Sequence, residues 1–212
     1  MNFLDTITEV ITSDIFSQNL IEINENFFNL KQESHIRNLI LVQLNKTFKL
    51  SGLAYKAISE YPRINQTRVD LSIVDLNQPD KIFTIEFKFQ LIGDYKNGLI
   101  PDRTKEIEYD LVQKNSDLFI LIIVEWNDEQ KLIFDNKYSL NTSLTRYNKG
   151  NNSNWEQSVK NLLIKFSAIN NCPQEIIQID YPYLTTYRFY FLQNPNKTSY
   201  GAPLMQNPEP IS

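Results

Sequence analysis

Glycine is scarce, with 5 in 212 residues, which nearly excludes glycine-rich phosphate-binding loops. There is one cysteine, Cys172, and one histidine, His35. That removes internal disulfides, zinc fingers and any His-rich or Cys-rich metal cage. A Ser-His-Asp or Cys-His enzyme would have His35 as its only base. The longest apolar run, Leu118–Val124, is far too short to cross a bilayer but suits a buried strand. Positive charge is also limited: 21 Lys and Arg stand against 25 Asp and Glu, for a net charge of −4. No global basic field draws such a chain to nucleic acid or anionic lipid, although a local groove can be basic on an acidic protein. The segment MNFLDTITEV has no basic stretch leading into an apolar one. With the lone thiol, this gives the expectation of a cytoplasmic protein without membrane association. Carboxylates, lysine and an oxygen-ligated metal are what remains for chemistry.

What is present is globular in character. Hydrophobic residues make up 42% and aromatic residues 12%, enough for a real core and too aromatic for a disordered chain. The length suits a single domain over 1–212, read as a helical extension (1–30), a core (31–126) and a C-terminal elaboration (127–212). Residues 1–30 carry apolar positions at helical spacing, as one or two short helices. From Glu33 to Phe48, Ile36, Leu39, Ile40, Leu44 and Phe48 fall on one helical face.

The period then changes to two. Strands are expected over Ala54–Tyr61, Arg68–Leu76 and Ile82–Phe89, with turns at Pro62–Thr67 and Asn77–Asp80, as an antiparallel meander. Pro101 opens a helix to about Gln113, and Asp117–Trp126 is an apolar strand. A helix between two strands implies a crossover, so this fourth strand is expected parallel to a neighbour. Lys131–Phe134 reads as a strand, Asn154 opens a helix through Phe166, and Leu184–Leu192 has strand composition. From Asn194 the chain reads as a loop or arm. The class is α/β: a mixed sheet of helix, three-strand meander, helix and strand, flanked by helices.

Asp70, Glu86 and Lys88 carry the candidate chemistry. The pattern Asp/Glu-x-Lys is weak as a string, since it recurs at Asp94–Lys96, Glu129–Lys131 and Asp135–Lys137, all in polar, loop-like surroundings. Glu86 and Lys88 differ because they interrupt an apolar strand. Residues two apart share a face of a strand, and a meander register summing to about 157 sets Asp70 opposite Phe87, beside both. Two carboxylates buried together repel unless a cation joins them. A hard divalent ion with oxygen ligands suits that need, and a neighbouring lysine can position water or neutralise charge on a phosphate. Glu33 lies on the helical stripe that faces the sheet and can reach the same cluster.

Helix with Glu33, strand, strand with Asp70, strand with Glu86-x-Lys88, helix, strand resembles the PD-(D/E)XK nuclease superfamily, the restriction-endonuclease-like fold. The matching segments are QESHIRNLI, TRVDLSIVDL and IFTIEFKFQ, within residues 31–126; Val69 stands in place of the motif's proline, which many members lack. The resemblance implies Mg²⁺-dependent phosphodiester hydrolysis, with Mn²⁺ as a substitute. Asp70, Glu86 and the Phe87 carbonyl would hold the metal, Lys88 would align the attacking water, and Glu33 would assist. Gln90 matches a polar position of some branches. Duplex DNA is the implied substrate, a type II restriction-type homodimer the implied form, and repair nucleases or RNA-cutting toxins are the enzyme alternatives.

Each residue also has a plainer reading. Asp70 and Lys88 form an ordinary cross-strand ion pair in that reading, and Glu33 pairs with Arg37 at i, i+4. Glu60 sits at an exposed strand end. Arg63 and Arg68 touch phosphate or are solvated turn charges. His35 is a surface or packing residue, Cys172 a small buried one, Lys160 and Lys165 belong to a wet helix face, and the aromatics of 181–191 pack the core rather than stack on bases. The rival function is a non-catalytic nuclease-like module that binds nucleic acid or a protein.

Overall fold

The computed structural model describes residues 1–28, 30–64, 67–92, 101–140, 155–166 and 174–197. A six-stranded mixed sheet is ordered β1-β4-β5-β6-β8-β7, from β1 (Tyr55–Ser59), β4 (Leu71–Asp75), β5 (Gln78–Leu91), β6 (Leu118–Trp126), β7 (Gln174–Ile179) and β8 (Thr185–Gln193). β5 and β6 run parallel, Glu86 level with Phe119 and Lys88 with Leu121, and the other pairs are antiparallel. The expected crossover is thus present. It runs through α4 (Pro101–Glu108), which passes directly into a π-helical turn over Tyr109–Gln113.

One face of the sheet is covered by α1 (Phe3–Ile11), α2 (Asp14–Phe27) and α3 (Glu33–Leu50). Asn2 and Ser13 start the first two by accepting the N–H of Leu4 and Phe16, side-chain caps that satisfy otherwise orphaned donors. Ile36, Ile40, Leu44 and Phe48 of α3 meet Ile85, Phe87 and Phe89 of β5 in this larger core. The opposite face packs Ile107 and Leu111 of the crossover and Val159 and Leu163 of α6 (Trp155–Phe166) against Phe119, Leu121 and Ile123. β6 is therefore apolar on both faces, as its unbroken run requires.

Several expectations need correction. Pro62–Thr67 does not simply turn: β2 (Arg63–Ile64) and β3 (Thr67–Arg68) form a separate small hairpin. β4 begins only at Leu71, so Asp70 precedes the strand rather than lying in it. The β4–β5 turn is tighter than expected, at Leu76–Asn77, and β5 is longer. Lys131–Phe134 is not a strand but part of α5 (Asp128–Lys137), whose cap is the Asn127 side chain accepting the Gln130 N–H. Two of the supposed solvated Asp/Glu-x-Lys controls fall in that helix, and there Lys131 and Asp135 are buried; Asp94–Lys96 lies outside the described residues. β7 was not anticipated.

Candidate active site

β4 ends its pairing with β5 at Leu71 opposite Ile85. The register sum is 156, one short of expectation, and continued by one step it brings Asp70 level with Glu86. Beyond Ile85, no strand among the described residues pairs with the edge of β5 that faced β4, and two carboxylates accept its N–H groups. Asp70 Oδ2 accepts the Phe87 N–H at 2.9 Å, and Glu33 Oε2 accepts the Phe89 N–H at 2.7 Å. Asp70 is fixed from behind as well, since its carbonyl accepts the N–H of Glu60, the last turn of chain after β1, at 3.1 Å. In an extended strand the N–H and C=O of one residue leave by the same edge, so the Phe87 carbonyl emerges on the side of Asp70.

Phe87 and Phe89 point into the α1–α3 core, which puts Glu86, Lys88 and Gln90 on the opposite face. There the crossover supplies two residues that the sequence reading missed, Asp110 and Lys114. The π turn is visible in the Lys114 N–H, which donates to the Tyr109 carbonyl five residues back at 2.8 Å. It sets both side chains over Glu86: Lys114 Nζ lies 3.0 Å from Glu86 Oε1 and 2.7 Å from Asp110 Oδ1. Lys88 Nζ lies 3.9 Å from Asp110 Oδ2, and Arg37 Nη1 lies 3.8 Å from Asp70 Oδ1. Arg37 thus turns toward Asp70 from α3, and the ion pair expected between Asp70 and Lys88 is replaced by one between Lys88 and Asp110.

Glu86 is only 2% exposed. Burial, followed by the charges of Asp70 and Asp110, pushes its carboxyl up to about 8, against the opposing pull of Lys114. Burial alone would lower the Lys114 ammonium, but Asp110 and Glu86 outweigh it and hold the group above its ordinary value. The site is short of positive charge even with Lys114 in place.

The remaining candidates divide. Gln90 is buried on the same face, its amide donating to the Leu91 carbonyl at 3.2 Å. Arg68 is exposed and pairs with Glu60 at 3.1 Å, while Arg63 lies in β2 with its side chain outside the described set. His35 packs against the Phe27 ring at a centroid distance of 3.8 Å, and Cys172 lies outside the described residues. Tyr183, Tyr187, Phe189, Tyr190 and Phe191 are core residues. Lys160 and Lys165 are exposed on α6.

The donor set of Asp70, Glu86, Asp110 and the Phe87 carbonyl is all oxygen, the chemistry that suits Mg²⁺ or Mn²⁺. Oxygen donors of this kind are the type a hard divalent ion takes. As folded around Lys114, no three His, Cys, Asp or Glu side chains among the described residues stand in a metal-holding arrangement. Among the described residues, no helix is long and apolar enough to cross a membrane. Comparison of the chain with family models, curated proteins and solved structures gives no match.

Proposed function

We propose that the protein is a metal-dependent nuclease with a restriction-endonuclease-like core, acting on DNA. The carrying observation is that Asp70, just before β4 begins, is level with Glu86 and bonded to the Phe87 N–H, with Lys88 two residues further along the same face of β5. The order α3, β1, β4, β5, crossover, β6, with β5 parallel to β6, supports the same reading.

In this reading Asp70, Glu86 and the Phe87 carbonyl hold Mg²⁺. A bound divalent ion would supply Lewis-acid polarisation and a more acidic water for attack on the phosphodiester. Asp70 keeps Oδ2 on the Phe87 N–H, and its other oxygen, 3.8 Å from Arg37 Nη1, is the one it would offer a metal. Lys88 is partly exposed, which lets its amine orient water or meet charge on the phosphate. Glu33 assists by position, fixing Phe89 and with it the open edge of β5. Gln90, Arg63 and Arg68 are proposed contacts to nucleic acid, duplex DNA the proposed substrate, and a restriction-type homodimer the proposed form, since cutting both strands calls for two symmetric sites.

A second reading, a non-catalytic nuclease-like module, is favoured by one observation: the Lys114 ammonium already bridges Glu86 and Asp110. Cleavage of plasmid and phage DNA, single-stranded DNA and RNA in Mg²⁺, Mn²⁺ or EDTA separates the two. Metal-dependent cutting by the wild type, reduced about a hundredfold or more in Asp70→Ala and Lys88→Ala, is the expected result. Absence of cutting on every substrate by well-folded protein leaves the binding module.

A further inference from the structure

Four carboxylates converge on the end of β5 (Glu33, Asp70, Glu86 and Asp110), and among the described residues three cationic groups stand beside them: Arg37, Lys88 and Lys114. The three cations are not equivalent. Arg37 and Lys88 each stand nearly 4 Å from one carboxylate, whereas Lys114 touches two, at 3.0 and 2.7 Å. Its position between Glu86 and Asp110 is the best-coordinated cation position among the described residues of the site.

Lys114 can also leave. Its side chain is 19% exposed, it sits in the residue that closes the π turn, and its second flank is the ring of Tyr109, 5.4 Å from Nζ and itself exposed. A lysine stem is flexible and its ammonium is strongly hydrated, so withdrawal to solvent costs far less than for an enclosed side chain. A divalent ion added with Lys114 in place would face three positive neighbours. Added in exchange for Lys114, it would bring the charge of the cluster into balance.

We propose that Lys114 is a built-in counter-ion of this site, displaced by the divalent ion, and that Asp110 is the carboxylate the two cations compete for. This rests on the metal-dependent reading of the site and adds a regulation to it: metal affinity is set by competition with an internal ammonium. Lys114 holds Glu86 and Asp110 in register while metal is absent and frees them when it binds.

The test is calorimetric titration of Mn²⁺ and Mg²⁺ into the metal-free full chain, as wild type, Lys114→Met, Lys114→Gln and Asp110→Asn, with a thermal melt of each. Removal of the competing charge is expected to tighten Mn²⁺ binding by about tenfold in both Lys114 variants, and Asp110→Asn to weaken it by about as much. Lysine acylation read by mass spectrometry on the wild type supplies a measurement that needs no variant to fold. There the Lys114 amine is expected to become more reactive at saturating Mn²⁺. Unchanged or weaker binding in folded Lys114 variants, or Lys114 reactivity that does not rise with metal, overturns the exchange while leaving metal binding intact. Metal taken up by Lys114→Met but not by the wild type overturns the exchange, since Lys114 then holds the position permanently, and overturns the nuclease reading with it. No uptake by any of them overturns both.

Discussion

Lys131 and Lys114 both pair with carboxylates, and their surroundings differ in a way that separates a site from a scaffold. Lys131 of α5 is 0% exposed and meets Asp135 one turn on at 3.2 Å. The rings of Tyr183, Trp126 and Phe28 close over it at 5.0, 5.4 and 6.0 Å. Burial lowers this ammonium, and Asp135 only partly offsets that. Lys114, by contrast, answers more negative charge than it can cancel, and its neighbours raise it. A paired charge sealed by aromatic rings has nothing left to bind. A charge that leaves surplus carboxylate beside it, with a way out to solvent, does.

The largest effect is expected from breaking the sealed pair. Lys131→Ala leaves the Asp135 carboxylate inside an aromatic enclosure without its ammonium. Removing one partner of a buried ion pair typically costs about 3–5 kcal/mol. The denaturation midpoint in urea should fall accordingly, with Mn²⁺ affinity per folded molecule unchanged. A midpoint within error of the wild type would mean that Lys131 is far less enclosed than its rings suggest.

Glu86 sharpens the contrast from the other side. Its carboxyl is raised from an ordinary 4.5 to about 8, chiefly by burial, so the folded state holds its proton more tightly than the unfolded chain does. That stabilisation is complete below the unfolded value and is lost as pH rises toward and through about 8. The metal-free protein should therefore melt lower with each step from mildly acidic to alkaline pH. Glu86→Gln, which keeps the shape without the charge, should flatten that slope and gain about 1–2 kcal/mol over the wild type on the alkaline side. Identical slopes for the two proteins would place the titration elsewhere.

The contrast also explains what could be read from the sequence. α3, β5 and β6 announce themselves because their buried faces are apolar at a clear period, and Asp70, Glu86 and Lys88 followed by register arithmetic from that pattern. α5 did not, because the period is inverted: Lys131 and Asp135 are buried while Leu132 and Ile133 are exposed. Asp110 and Lys114 draw no functional reading from the sequence, and the expected helix ends at about Gln113. Only the wider π turn brings them over Glu86, and a period of 3.6 carries no trace of it. Their i, i+4 spacing was the one available signal. β7 was missed because an edge strand such as QEIIQI buries only alternate residues, Ile177 and Ile179.

The smallest effect concerns Glu33, and it decides on which side of the line that residue falls. Its shown partner is a backbone N–H of β5, on an edge that no described strand pairs with. An amide oxygen accepts the same bond, so Glu33→Gln should lose less than about 1 kcal/mol of stability. If Glu33 acts by position, Glu33→Gln should also keep its Mn²⁺ affinity within about twofold, whereas Glu33→Ala, which cannot accept the Phe89 N–H, should loosen the edge and weaken both. A tenfold loss of Mn²⁺ affinity in Glu33→Gln at unchanged stability would instead move Glu33 from the scaffold to the ligands. The open edge of β5 would then be held by Asp70 alone once metal is bound, and Phe89 N–H exchange with solvent should quicken in the presence of Mg²⁺.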